Sequence, residues 1–137
     1  AMETHKSMKT QDRKSVAIVG ASADRSKYGN KAVRAYLAQG WDVYPVNAKG
    51  GEIEGLRAYS SLEELPARVD RVSLYLPPVL GLKLLPAITK LAPGEFFMNL
   101  GAESDELVEA ARKLGLDPIL ACSIVDVGMS PSALADA

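Results

Sequence analysis

Short apolar runs alternate with stretches of helical periodicity along this chain, and the alternation predicts its elements. Residues 16–19, VAIV, form a continuous apolar run that ends at Gly20, as in a strand buried on both faces of a parallel sheet. From Asn30 the period changes: Ala32, Val33, Tyr36 and Leu37 recur at helical spacing until Gly40 stops the helix. Residues 41–46 read as a second strand and residues 47–55 as a glycine-bearing loop. Ser61 and Glu64 stand at capping-box spacing, so a short helix is expected from near Ser61 to before Pro66.

The alternation continues in the second half. Residues 71–76, with Val72, Leu74 and Leu76, predict a third strand halted by Pro77 and Pro78, and residues 79–91 a helix in which Gly81 and Pro86 imply a kink or a late start. Residues 95–100 predict a fourth strand ending at Gly101. Ser104 is placed to cap a helix whose first turn carries Asp105 and Glu106, charges that suit its N-terminal dipole, and Gly115 ends it. Residues 117–121 predict a fifth strand; from Cys122 onward no pattern emerges. Residues 1–13 are polar and aperiodic and are expected to form a flexible leader. Strands alternating with helices across short loops predict one α/β domain over residues 14–137, Rossmann-like and doubly wound, with a five-stranded, mainly parallel sheet and helices on both faces.

In such a sheet, ligands sit outside the carboxyl ends of the strands, which directs attention to residues 20–30, 45–51, 76–78 and 98–102. At the first of these, Gly20 permits a tight turn, and Ser22 and the amides entering the helix can donate to a phosphate. Gly20 and Gly29 lie nine positions apart, so the loop is broader than a pyrophosphate turn, and Arg25 and Lys27 bring cations into it. At the second, an NAD-binding sheet places a carboxylate for the ribose hydroxyls. This chain has PVNAKGG instead: Asn47 can bond sugar or base, and Lys49 attracts where a carboxylate would repel a ribose phosphate. The expected ligand is a nucleotide with an extra ribose phosphate, a description that both coenzyme A and NADP meet.

Charge and composition narrow the field further. With a formal charge of −1 and a pI near 5.9 the chain has no basic field for nucleic acid or anionic lipid. Cys122 is its single cysteine, which excludes an internal disulfide or a multi-cysteine zinc site and fits a reducing, cytoplasmic setting. No apolar run reaches the ~18 residues of a membrane span, and the polar start lacks the apolar centre of a signal peptide. Catalytic groups are sparse: the sole histidine, His5, falls in the leader, and Glu103, Ser104 and Asp105 read as a helix start.

The motifs GAS with YGN, Gly20 to Ser22 and Tyr28 to Asn30, and above all PVN-x-KGG-x-I-x-G-x-x-x-YxSLxELP from Pro45, resemble the small stand-alone CoA-binding proteins. Their fold is that of the N-terminal domain of the succinyl-CoA synthetase alpha subunit, and the likeness runs over residues 15–125. The resemblance implies that Ser22, Ala23, Asp24 and Arg25 lie against the phosphates of CoA, that Lys49 contacts it, and that Leu76, Pro77 and the strand end at residues 98–101, Gly101 included, wall the cleft. It places Leu100 where the synthetase has an acidic residue. The synthetase relay uses a histidine of a second domain outside these residues, so the function implied is CoA or acyl-CoA binding without complete ligase machinery or independent catalysis. An NADP-binding oxidoreductase fragment and a nucleotide-sensing module with a protein partner are the alternatives.

Overall fold

A computed structural model of the chain describes residues 13–137; the expected leader and His5 lie outside the described residues, Arg13 excepted. The main sheet contains β1 (Ser15–Val19), β2 (Asp42–Val46), β5 (Arg71–Leu74), β6 (Glu95–Met98) and β7 (Pro118–Leu120), in the order β2-β1-β5-β6-β7. Every neighbouring pair is parallel, with Val19 opposite both Val46 and Leu74. The fold class expected from the alternation is the one observed.

Helices cover both faces because the strands are apolar on both. On one face α2 (Pro78–Leu91) and α3 (Asp105–Lys113) pack Leu85, Ile88, Leu107 and Ala111 against Ala17, Val72, Phe96 and Met98. On the other, α1 (Tyr28–Ala38) packs Ala32, Val33, Ala35 and Tyr36 against Val16 and Ile18. Ser104 does cap α3: its Oγ accepts from the Leu107 amide at 3.1 Å. Ser104→Ala is expected to lower stability by about 1 kcal/mol in urea unfolding, with no change in the unfolding slope.

Four local expectations are corrected. The 47–55 loop and the residues after it contain a small antiparallel hairpin, β3 (Glu52–Ile53) with β4 (Leu56–Arg57). Its two-residue turn has positive φ at both Glu54 (50°) and Gly55 (79°), as a type I′ turn requires. The helix expected at Ser61 is a single 3₁₀ turn, Leu62–Glu64, and Glu64 reaches back one residue further, to the hydroxyl of Ser60 at 2.5 Å and its amide at 3.2 Å. α2 begins at Pro78 and runs through Pro86, an exposed position, where the missing N–H leaves the Leu82 carbonyl without its intrahelical partner.

The fourth correction concerns the end of the chain. Residues from Cys122 form α4 (Ser123–Asp126) and a 3₁₀ turn (Pro131–Ala133), and they complete the core under α1, with Ile124 fully buried and Val127, Met129 and Leu134 packed around it. A four-residue helix is too short to show a period of 3.6, so its signal is tertiary.

Candidate functional site

The order β2-β1-β5 reverses the direction of chain progression at β1, which makes the carboxyl ends of β1 and β5 the switch point of the sheet. A cleft of about 870 Å³ opens there. Three features of the local sequence build it: the turn after β1, the close approach of α1, and the loops after β2 and β6.

At the turn, Gly20 has φ +92°, and a Cβ there would lie 2.9 Å from the Tyr75 carbonyl carbon and oxygen, so no other residue fits without displacing β5. The amides of Gly20 and Ala21 both donate to the Val46 carbonyl, at 3.0 and 3.2 Å, and fasten the end of β1 to β2. The loop then stabilises itself. Ser22 Oγ accepts from the Asp24 amide at 3.0 Å, and the Asp24 carboxylate accepts from the Ser26 hydroxyl (2.7 Å) and amide (3.0 Å). These Ser26 hydrogen bonds hold the Asp24 carboxyl below its usual range.

The cleft is lined by Gly20, Ala21, Ser22, Lys27, Tyr28, Gly29, Asn47, Lys49, Leu76, Pro77 and Gly101 of the residues expected from sequence. Ala23, Asp24, Arg25, Asn30 and Pro45 are not among its lining residues, and each has a visible structural task or position. Arg25 Nε lies 3.3 Å from Glu54 and its Nη1 donates to the Ala137 main-chain oxygen at 2.8 Å. Asn30 is fully buried; its Nδ2 donates to the Ser22 carbonyl (2.9 Å) and to Glu54 (3.0 Å), while its Oδ1 accepts from Arg34 (2.8 Å). Ala23 is an exposed residue of the loop, Asp24 is the loop's internal acceptor, and Pro45 is buried in β2 with its carbonyl accepting from the Tyr59 amide. The Asn47 carboxamide also works within the fold: it donates to the Ala21 carbonyl and accepts from the Lys49 amide, both at 2.8 Å, tying the first two strand ends together.

Residues that sequence reading missed complete the walls: Ser60, Ser61, Leu62, Tyr75, Leu80, Lys83 and Leu84. Ser60 to Leu62 reach the cleft because the 3₁₀ turn packs on α2, and Lys83 because one turn of helix separates it from Leu80. Tyr75 is anchored from behind. Its hydroxyl lies 3.0 Å from Ser123 Oγ, which lies 2.6 Å from Ser73 Oγ, and Asn99 donates to both Ser73 Oγ and the Leu74 carbonyl at 2.9 Å. Burial pushes the Tyr75 phenol well above its ordinary value, so it is neutral at physiological pH. Cys122 packs with the core beneath α1 rather than in the cleft.

The electrostatics are one-sided. Lys27, Lys49 and Lys83 line the cleft, all three are exposed, and the lining contains no carboxylate. Among the described residues none of the three is in an ion pair. The amides of Tyr28 and Gly29, at the start of α1, precede the first intrahelical donors and give that end of the cleft a partial positive charge. Among the described residues there is no cluster of metal-ligating side chains, and no helix is long and apolar enough to cross a membrane.

Three comparisons bear on this geometry. The CoA binding domain family matches residues 14–128. The alpha subunit of ADP-forming acetate–CoA ligase I from Pyrococcus furiosus is 36% identical over 88% of this chain, and the match spans 29% of that subunit. The alpha subunit of the second such ligase from the same organism is 33% identical over 74% of this chain, spanning 24% of its own length. The chain thus spans less than a third of either curated relative. Among solved structures, a conserved hypothetical protein from Pyrococcus furiosus superposes with a TM-score of 0.73 at 35% identity, covering 83% of this chain and 98% of its own. A protein from Thermus thermophilus superposes with a TM-score of 0.76 at 28% identity, covering 90% and 94%. With the family match covering most of its length and the switch-point cleft in place, the chain belongs to the CoA-binding domain family and is homologous to part of the alpha subunits of ADP-forming acetate–CoA ligases.

Proposed function

We propose that this protein binds coenzyme A or acyl-CoA in the switch-point cleft, in the cytoplasm, and works as a binding module without ligase chemistry of its own. The observation that carries the reading is the charge of the cleft: Lys27 and Lys49 at the ends of β1 and β2 and Lys83 on α2, none of them in an ion pair among the described residues, and no carboxylate in the lining. CoA presents a diphosphate and a ribose phosphate within one nucleotide, and a site for it gains from every exposed cation and from the α1 N-terminus.

The roles divide by position. Ser22 and the first amides of α1 face the diphosphate. Ser22 Oγ already accepts from Asp24, which leaves its proton for a phosphate oxygen. Lys49, held on its loop by the Asn47 carboxamide, meets the ribose phosphate. Leu76 and Pro77 cover the ligand from the end of β5, and Gly101 from the end of β6.

Calorimetry with CoA, dephospho-CoA and NADP tests this. CoA is expected to bind more tightly than dephospho-CoA, and Lys49→Ala to weaken CoA by about 1–2 kcal/mol while leaving dephospho-CoA nearly unchanged. Equal affinities for CoA and dephospho-CoA would remove the role of Lys49; tighter binding of NADP would replace the ligand.

A further inference from the structure

Leu100 is the most exposed large hydrophobic side chain among the described residues, at 85%, and nothing in the fold accounts for it. It sits in the tight turn after β6, where the Ala102 amide donates to the Asn99 carbonyl at 2.9 Å. The turn's one conformational demand is met by Gly101, with φ +88°, in the position where a type II turn needs a positive value. The residue before that glycine carries no such demand, and a solvent-facing turn position ordinarily holds a polar group. A leucine there is neither buried nor required by the backbone.

It also does not stand alone. Tyr28 (59% exposed) and Leu80 (42%) line the same cleft as Leu100, and Val79 (67%) adjoins Leu80 at the start of α2. The remaining exposed large hydrophobics, Leu37, Leu114, Leu120 and Val125, lie outside the cleft. The cleft is therefore divided. The ends of β1 and β2 and the start of α1 carry Ser22, Lys27, Tyr28, Asn47 and Lys49, whereas the end of β5, α2 and the β6 turn present Leu76, Pro77, Leu80 and Leu100, with Lys83 as the one charge among them. Exposed apolar residues that line the same cleft as a cationic end mark a ligand with the same two halves.

Resting on the reading of the cationic end as a CoA site, we propose that the ligand of this protein is an acyl-CoA with an apolar acyl chain of several carbons, and that Leu100 and Leu80 are its specificity-determining contacts. The nucleotide lies over the lysine end, and the thioester end runs out between α2 and the β6 turn, where the acyl methylenes cover Leu100. Free CoA leaves that leucine in water. A short dicarboxylic acyl group would place a charge against the apolar rim, with Lys83 as its one cation there.

Calorimetry with CoA, octanoyl-CoA and succinyl-CoA tests the proposal. Covering two methylenes multiplies affinity on the order of tenfold, so octanoyl-CoA is expected to bind at least about tenfold tighter than CoA, and succinyl-CoA no tighter than CoA. In Leu100→Glu the ratio of octanoyl-CoA to CoA affinity should fall toward one, and Leu80→Glu should lower it as well. Leu114→Gln, at an exposed leucine outside the cleft, should leave it unchanged. Octanoyl-CoA binding no tighter than CoA, a preference for succinyl-CoA, or a ratio untouched by Leu100→Glu would each overturn the acyl assignment while the CoA site stands. Binding of neither CoA nor octanoyl-CoA would overturn both.

Discussion

Arg71→Ala is expected to lower the unfolding free energy by about 3 kcal/mol. Arg71 opens β5 with its side chain only 6% exposed. Its guanidinium lies between the rings of Phe97 (4.3 Å to the centroid) and Trp41 (4.9 Å). It donates to Glu95 at 2.8 and 3.0 Å, to Asp126 at 2.7 Å and to the Tyr36 hydroxyl at 3.2 Å. Burial opposes its charge, but these hydrogen bonds more than offset that and raise its pKa above the ordinary arginine value, so it is charged at every working pH.

The magnitudes decide which interaction dominates. Glu95 and Asp126 are 42% and 45% exposed, so each can rehydrate when the arginine is lost, and the ion pairs are worth less than a fully buried pair. What water does not replace is the flat group between two rings and the partner of a buried hydroxyl. Arg71→Met tests this division, because it restores most of the volume without the charge. It is expected to lose only about 1–2 kcal/mol in urea unfolding, and a loss as large as that of Arg71→Ala would mean that the guanidinium's hydrogen bonds and ion pairs, not the packing, hold this corner. Asp126 lies in α4, so both variants should also loosen the chain end, seen as faster amide exchange over residues 123–127.

The same region shows how far sequence reading carries and where it stops. Val16 to Val19 and Phe96 to Met98 announce buried parallel strands because both faces of a doubly covered sheet must be apolar. Ser104 announces its helix because one hydroxyl can cap one amide. The glycine turn at Gly20 and the absence of an acid in PVNAKGG were legible for the same reason: each is a local backbone or charge requirement. Arg25 illustrates the limit. As a cation beside the glycine loop it looks like a phosphate ligand, but tertiary contacts give it other partners, Glu54 at 3.3 Å in the hairpin turn and the Ala137 main-chain oxygen at 2.8 Å. Ser60 enters the cleft through the packing of the 3₁₀ turn on α2, a contact between separate segments that leaves no local trace, and Lys83 through its place on the cleft side of α2. Ser123 supports Tyr75 from 48 positions away.

Gly29→Ala separates local preference from tertiary fit more sharply, because the two predict opposite signs. Gly29 lies in the first turn of α1 and does not have a positive φ, so helix propensity alone would make alanine stabilising by up to about 1 kcal/mol. Its surroundings forbid this. A Cβ at Gly29 would stand 2.2 Å from the Gly20 carbonyl oxygen, 3.1 Å from the Gly20 carbonyl carbon and 3.3 Å from Ala21 Cα. All three are main-chain atoms of the turn that Val46 holds in place, so the strain has no flexible side chain to absorb it. Restoring ordinary contact requires the N-terminus of α1 to retreat from the sheet by roughly 1 Å, enough to unseat the buried Ala32, Val33 and Tyr36 one and two turns later. Overpacking against backbone outweighs the propensity gain, and the net loss is expected at about 3 kcal/mol. Because the same movement carries the Tyr28 and Gly29 amides and Lys27 away from the cleft, CoA affinity should fall at least tenfold at temperatures where the variant is still folded. Gly101→Ala is the control: its Cβ would meet nothing within 4 Å, so only its φ of +88° opposes the change, and the loss should stay near 1 kcal/mol. Should Gly29→Ala prove as stable as the parent, the turn after β1 and the first turn of α1 do not pack as closely as a CoA-sized cleft at this strand end requires.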